Sequence, residues 1–392
     1  MASPASTSTL TFGDVLRTPA VKRLWIAQLV SVFGDFLAIF AVISVVTFKF
    51  HGTPVQVSMI LVAFLVPLAF VSPVAGVFVD KWNVKATMIA SDVIRGFLIV
   101  ALLFAKDIYT IYAVFFVLAT VSSFFIPAQA VALRTLAPPG GLMSANALMH
   151  LAVQVSMIVA PAIAGAMVEG IGANLCFAFD ILSFFASASL VATLAIKRGG
   201  PPAPATSIRD SFTAGLRFIF SHAAISFVMI AISSAMFGLR CFGALLSVYV
   251  RDILRMDSTS FGVLNTLSGV GMIVGGQTVR RIATRATPQH MVIYGVAGMG
   301  GAVLLTAIGM FALGLFATFI IVTAQTLMQH ETPPDMLGRV SSSMMSLMAV
   351  AQVFALIGAG PVAEAAGLRN LFFGSGGLLL AIAVIGLWKL RS

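Results

Sequence analysis

The sequence predicts an all-α membrane protein, with twelve transmembrane helices arranged as two pseudo-symmetric six-helix bundles. Three observations predict it. Of the 392 residues, 59% are hydrophobic and only 9% charged. A soluble chain carries roughly a quarter charged residues, so this one cannot cover a water-facing surface and belongs in lipid. Apolar runs close to the ~20 residues that a bilayer core demands recur along the whole length. The basic residues gather at alternate ends of those runs, which sorts the loops onto two sides of a membrane.

The runs are 25–48, 55–79, 86–105, 109–132, 143–168, 174–195, 223–250, 258–279, 290–308, 310–329, 340–364 and 369–389. Ahead of the first, Met1 to Ala20 contains Ser, Thr and Pro but no apolar core before Trp25, so it does not read as a cleaved signal peptide and the first span directs insertion. The ninth and tenth runs are separated only by a Gly/Met/Phe hinge from Gly309 to Phe311. With both termini in the cytoplasm, sixteen Lys and Arg residues fall on that side, including Arg17, Lys22, Arg23, Lys81, Lys85 and Arg339. Five lie opposite (Lys49, Lys106, Arg251, Arg255, Arg369), and Arg95 and Arg240 are embedded. This asymmetry satisfies the positive-inside rule. It predicts a multi-pass protein of a bacterial-type plasma (inner) membrane with both termini cytoplasmic.

The net charge of +10 is therefore topology. No basic stripe interleaved with aromatics exists to bind nucleic acid. The two cysteines, Cys176 and Cys241, lie far apart inside apolar runs and provide neither a disulfide framework nor zinc spacing; no metal is expected. A phosphate-binding Gly-x-x-x-x-Gly-Lys loop, a His-Glu-x-x-His helix and a Gly-x-Ser-x-Gly elbow are all absent from the sequence, so neither an enzyme nor a cofactor is expected.

Between the sixth and seventh runs, Lys197 to Ser207 contains Gly199-Gly200-Pro201-Pro202 and Pro204, and Ile208 to Phe220 reads as a short amphipathic stretch before the seventh run. The chain thus divides into a first bundle over 1–196, a cytoplasmic linker over 197–210 and a second bundle over 211–392. The halves repeat weakly. Ala128-Gln129 followed by Pro138-Pro139 recurs as Ala324-Gln325 followed by Pro333-Pro334, Gly76 recurs as Gly276, and Phe33-Gly34 as Phe237-Gly238. Repeats of this kind build alternating-access transporters.

Gly76-Val77-Phe78-Val79-Asp80-Lys81-Trp82-Asn83-Val84-Lys85 resembles the signature loop between the second and third helices of the major facilitator superfamily, and the resemblance covers nearly the whole chain. The Gly, Asp and two basic positions are met; Asn83 and Val84 stand where Gly and Arg are usual, and the second copy carries Arg280 in place of the acid. Ala160-Pro161 and Ala164-Gly165 on the fifth run are similar to a softened antiporter motif, although close packing of small residues around a helix-bending proline accounts for them equally. Phe33-Gly34-Asp35, Asp92 with Arg95, Pro127-Ala128 and Ala145-Asn146-Ala147-Leu148 resemble the macrolide-efflux and enterobactin-exporter branch, and also the lysophospholipid transporters. In the family Asp80 docks near the start of the eleventh helix, which here carries Gly338-Arg339. The resemblance thus implies a cytoplasmic gate built from Gly76, Asp80, Lys81, Lys85 and Arg339.

Among embedded polar groups, Asp35 stands mid-helix with Gln28 and Ser31 or Val32 on its face. A carboxylate there is costly unless paired or protonated, which makes it the candidate proton-coupling acid; a structural ion pair or a helix-bending hydrogen bond explains the same residue. Arg240, in the symmetry-related seventh run, is its expected partner or a substrate ligand, unless it reaches out to headgroups. Asp92 and Arg95, three apart, are expected to pair along one helix face and to brace the signature loop. Asn146, His150 and Gln154 form one polar stripe facing protein or water, with His150 either a relay or a hydrogen-bonded packing residue. Asp180 has no evident partner. The reading that follows is proton-coupled export of amphiphilic small molecules such as drugs or siderophores by a monomer, its partners being substrate, protons and the lipid bilayer. Lysophospholipid transport between leaflets is the alternative.

Overall fold

The computed structural model describes residues 10–79, 81–105, 107–196, 217–221, 223–282, 288–303, 307–332 and 337–391, whose regular secondary structure is entirely helical. A short helix α1 (Phe12–Leu16) precedes α2 (Pro19–Ser44), which continues as a π-helical turn, Val45–Lys49. There follow α3 (Pro54–Phe70), α4 (Ser72–Val79), α5 (Val84–Leu103), α6 (Ile108–Leu136), α7 (Leu142–Gly170) and α8 (Asn174–Ala192). The second half supplies α9 (Ala223–Asp252), α10 (Ser258–Ile282), α11 (Pro288–Val303), α12 (Ala307–Glu331), α13 (Leu337–Ala366) and α14 (Leu368–Arg391).

Each of the twelve apolar runs coincides with a helix or a helix pair. Nine helices among the described residues are long and apolar enough to cross a membrane. The remaining runs are α3 with α4, α10, and the 16-residue α11. Pro67 lies inside α3, and the chain breaks at Val71, whose N–H donates to the Pro67 carbonyl at 2.7 Å. One expectation needs correcting. The hinge placed at Gly309–Phe311 falls inside α12, which begins at Ala307, while α11 ends at Val303. Apolar composition is continuous across that region, so hydropathy alone cannot locate the break.

The helix starts follow from local chemistry. Asn83 caps α5, its side chain accepting from the Ala86 N–H at 3.1 Å, so this departure from the family's loop pattern carries a cap. Asp107 caps α6 by accepting from Thr110 N at 2.9 Å and Thr110 Oγ1 at 2.7 Å. Those hydrogen bonds hold its carboxyl below the ordinary 3.8. Asp257 does the same ahead of α10 through Ser260, and its carboxyl is likewise held below 3.8.

Two compact units emerge: residues Met1–Val42 with Ala63–Pro202, and residues Ile43–Val62 with Ala203–Ser392. The linker at 197–210 lies outside the described residues. In the first unit, Leu24, Ala27, Met88, Ala128, Ala132, Ala145 and Leu148 build a core from α2, α5, α6 and α7. The Trp25 indole donates to the Leu148 carbonyl at 2.9 Å, spending a polar handle that lipid leaves unsatisfied.

In the second unit α10 and α12 cross at backbone contact. A Cβ on Gly271 would lie 2.0 Å from the Phe311 carbonyl oxygen, and one on Gly314 would lie 1.8 Å from that of Ser268. Only glycine fits such a crossing, and its gain is close packing where no hydrophobic effect drives helices together. The same unit holds residues 43–62. Arg251 Nη1 donates to the carbonyls of Thr47 at 2.7 Å and Gly52 at 3.0 Å, while Thr47 and Ser247 hydroxyls lie 2.9 Å apart.

Candidate functional site

The site is a cavity of ≈ 460 Å³ within the first unit, between α2, α3, α5, α6 and α7. Helical spacing sets its walls. On α2 the lining residues are Gln28, Ser31, Val32, Asp35, Phe36 and Ile39, one stripe of i, i+3, i+4 positions. On α6 they are Ser122, Phe125, Ile126, Gln129, Ala130 and Leu133, the same pattern. Phe64 and Leu68 come from α3, Arg95 from α5, and Asn146, Met149, His150 and Val153 from α7. The wall is mostly aromatic and aliphatic, with a few convergent polar groups, and its volume falls within the roughly 300–1,000 Å³ of small-molecule sites.

The charged floor is built in two layers. Deepest are Asp92 at 0% and Arg95 at 3% exposure, bonded directly to each other. The second oxygen of Asp92 accepts the Ser187 hydroxyl at 2.7 Å. The Arg95 guanidinium lies between two rings, 4.5 Å from Phe125 and 4.4 Å from Phe184, a sandwich that fixes the fork. Above it Asp35 reaches Arg95 at a longer 3.6 Å, and its side chain is 26% exposed against 4% for that of Arg95. Arg95 is therefore committed to Asp92, and Asp35 is the member open to the cavity. Near the other end of the α2 stripe, Gln129 donates from its amide to Gln28.

The other expected residues are placed as follows. Asn146 and His150 line the cavity, Asn146 donating to Leu142 of its own helix at 3.0 Å. Gln154 is exposed and stands outside the lining. Arg240, expected as the partner of Asp35, donates from Nε to Gln352 at 2.7 Å in the second unit. The ion pair that Asp35 makes is with Arg95, which α5 of its own unit delivers. Asp92 and Arg95 pair, and among the described residues they also meet Ser187, Phe125, Phe184 and Asp35. In that loop Lys81 is exposed, Lys85 half-buried and Gly76 has open space around it. Asp80 and the Arg339 side chain lie outside the described residues, so the expected gate does too. Ala160, Pro161 and Gly165 are buried on one face of α7.

Two contributors were missed from the sequence. Gln129 entered only as half of a repeat, although Ser122, Phe125, Gln129 and Leu133 form a readable helical stripe around it. Arg95 as the cavity's guanidinium required knowing that α5 packs behind α2.

A model for the "Major Facilitator Superfamily" matches residues 24–356. The uncharacterized MFS-type transporter YfiS of Bacillus subtilis is 26% identical over 388 residues, covering 94% of this chain and 92% of the relative. Macrolide efflux protein A of Streptococcus pyogenes is 24% identical, covering 92% and 94%. The multidrug efflux pump Tap of Mycolicibacterium fortuitum is 27% identical, covering 87% and 89%. Among solved structures, a bacterial homologue of the human lysosomal transporter Spinster superposes with a TM-score of 0.72 at 14% identity, covering 94% of this chain and 96% of that one, a likeness of fold alone.

Proposed function

We propose, from the premise that this chain belongs to the major facilitator superfamily and is a multi-pass secondary transporter rather than an enzyme, that it exports amphiphilic small molecules in exchange for protons by alternating access. The single observation that carries this reading is Asp35: a carboxyl open to a largely apolar cavity and held at a long 3.6 Å by an arginine already bonded to Asp92. Antiport requires that proton and substrate compete for one group. A carboxylate with half-satisfied pairing does this. Protonation neutralises it and releases it from Arg95, whereas a cationic or hydrogen-bonding substrate group favours the ionised form. The rings of Phe36, Phe64 and Phe125 supply apolar area without demanding one ligand shape, as varied substrates require. The efflux names of two relatives support export, and the distribution of Lys and Arg supports cytoplasmic termini.

The test is made in proteoliposomes with an imposed pH gradient, following lumenal pH as macrolides, dyes or lysophospholipids are added to wild type and Asp35→Asn. Substrate-triggered proton movement that disappears in Asp35→Asn is the expected result. Substrate flux without proton movement, unchanged by the substitution, sinks the antiport reading and favours lysophospholipid movement between leaflets.

A further inference from the structure

Asp180 takes no part in the cavity wall. It sits on α8 with 0% exposure, and its Oδ2 is buried without a hydrogen-bond partner. Its Oδ1 lies 3.2 Å from the Ser183 hydroxyl, whose single proton is also shared with the Asp180 carbonyl at 2.8 Å. No ion pair among the described residues includes it.

Its position is held by a close approach of α2. A Cβ on Gly34 would lie 2.4 Å from Asp180 Oδ1 and 3.1 Å from Asp180 Cα, and the preceding Phe33 ring meets Phe179 edge-on at 5.6 Å. Gly34 is thus the residue that lets a buried carboxyl reach the backbone immediately before Asp35. The charged groups around Asp180 are Asp35 on α2 and Asp92 and Arg95 on α5, with Ser183 the polar neighbour on its own helix. Asp35 and Asp92 both pair with that guanidinium, and Asp180 does not. Asp92 and Arg95 neutralise each other, and Asp35 takes what attraction remains while touching the cavity. An ionised Asp180 in that dry interior would have no compensation. Its protonated form is neutral.

We propose that Asp180 is the resident proton-binding carboxyl of this transporter and that Asp35 is the group through which its proton reaches the cavity. The inference rests on the antiport reading above. The exchange is balanced: the Asp180 acid gives its proton to the Asp35 carboxylate, leaving an Asp180 carboxylate and a neutral Asp35, with no change in net charge. Asp35, now released from Arg95, delivers the proton to water in the cavity. While Asp35 holds the proton, the guanidinium, whose buried Nε has no acceptor, balances Asp92 and the new Asp180 carboxylate. Once the proton leaves, Asp35 is a carboxylate again and returns to Arg95. Reloading runs the same steps in reverse.

The experiment is infrared spectroscopy of the purified full-length protein at neutral pH, reading the protonated-carboxyl stretch in wild type, Asp180→Asn and Asp35→Asn. Proton release on adding erythromycin or ethidium in weakly buffered micelles is measured in parallel. The expected result is a band present in wild type, retained in Asp35→Asn and lost in Asp180→Asn, with proton release lost in both variants. Asp180→Glu keeps an acid at the site and is expected to restore a shifted band. Should Asp180→Asn give no folded protein, an unshifted wild-type band in Asp180→Glu places the proton elsewhere and overturns the proposal. A band intact in Asp180→Asn overturns it too, while leaving antiport at Asp35 standing if wild type still releases protons. Wild type that binds a probe without releasing protons instead removes the antiport reading, and the Asp180→Asn band still decides where the resident proton sits.

Discussion

Replacing Arg95 by Met tests the layered floor of the cavity. Met keeps most of the side-chain volume, so packing between Phe125 and Phe184 is largely preserved. What is lost is charge. Asp92, at 0% exposure, retains only the Ser187 hydroxyl, and breaking a buried pair by removing one partner costs about 3–5 kcal/mol. The complementary variant Asp92→Asn should cost less, because Arg95 keeps Asp35 at 3.6 Å as a second carboxylate. The double variant leaves no unpaired charge at the fully buried position 92 and, with Asp35 still open to the cavity, should recover most of the loss.

For a unit of this size a loss of about 3–5 kcal/mol corresponds to a fall of roughly 6–20 °C in Tm. The two free cysteines supply the assay. Cys176 and Cys241 are both buried, the former in the first unit and the latter in the second. A thiol-reactive fluorophore on a Cys241→Ser background therefore reports melting of the first unit alone. If Arg95→Met melts within about 2 °C of wild type, under 1 kcal/mol on the same scale, or if the double variant is as unstable as the single, the electrostatic account of this floor is refuted.

Other outcomes follow from packing and capping. Gly314→Ala places a methyl 1.8 Å from the Ser268 carbonyl oxygen; the overpacking should cost about 1–3 kcal/mol or more. The loss should appear in the Cys241 signal of a Cys176→Ser background and leave the first unit unaffected. Lowering pH should loosen the starts of α6 and α10. The carboxyls of Asp107 and Asp257 are held below the ordinary 3.8 by their cap hydrogen bonds. Their stabilising effect is therefore complete above that value and is lost as pH falls through the depressed one. Amide exchange at Thr110 and Ser260, corrected for intrinsic rate, should accelerate only as pH falls below 3.8 and through the depressed carboxyl values, by the end-fraying expected of a lost cap. No change there would show that the caps do not hold these helix starts.

The twelve apolar runs were legible because hydropathy is additive along a chain. Each segment must satisfy its own backbone hydrogen bonds in lipid, so a run of apolar residues has one solution regardless of its neighbours. The limit of that logic appears at Gly309–Phe311, where composition stays apolar and the helix continues unbroken. Asp35 was legible for the same additive reason: an ionisable group in an apolar run stands out as an exception needing an explanation. A glycine inside an apolar helix has few uses besides close packing, and for Gly271 the Phe311 carbonyl supplies the partner.

Partnership was not legible. Arg95 and Arg240 are both embedded guanidiniums, and nothing in one dimension says that the first lies at 3.6 Å from Asp35 while the second turns to Gln352. Asp180 shows the same gap. It is an isolated acid in the sequence, yet the absence of a side chain at Gly34 lets it stand against the α2 backbone immediately before Asp35. Composition, periodicity and loop charge thus establish that the chain is a helical membrane protein, and the family match makes it a transporter. Which charges share a dry site depends on helix packing, because electrostatic interaction follows distance and local dielectric, and neither is a property of residue order.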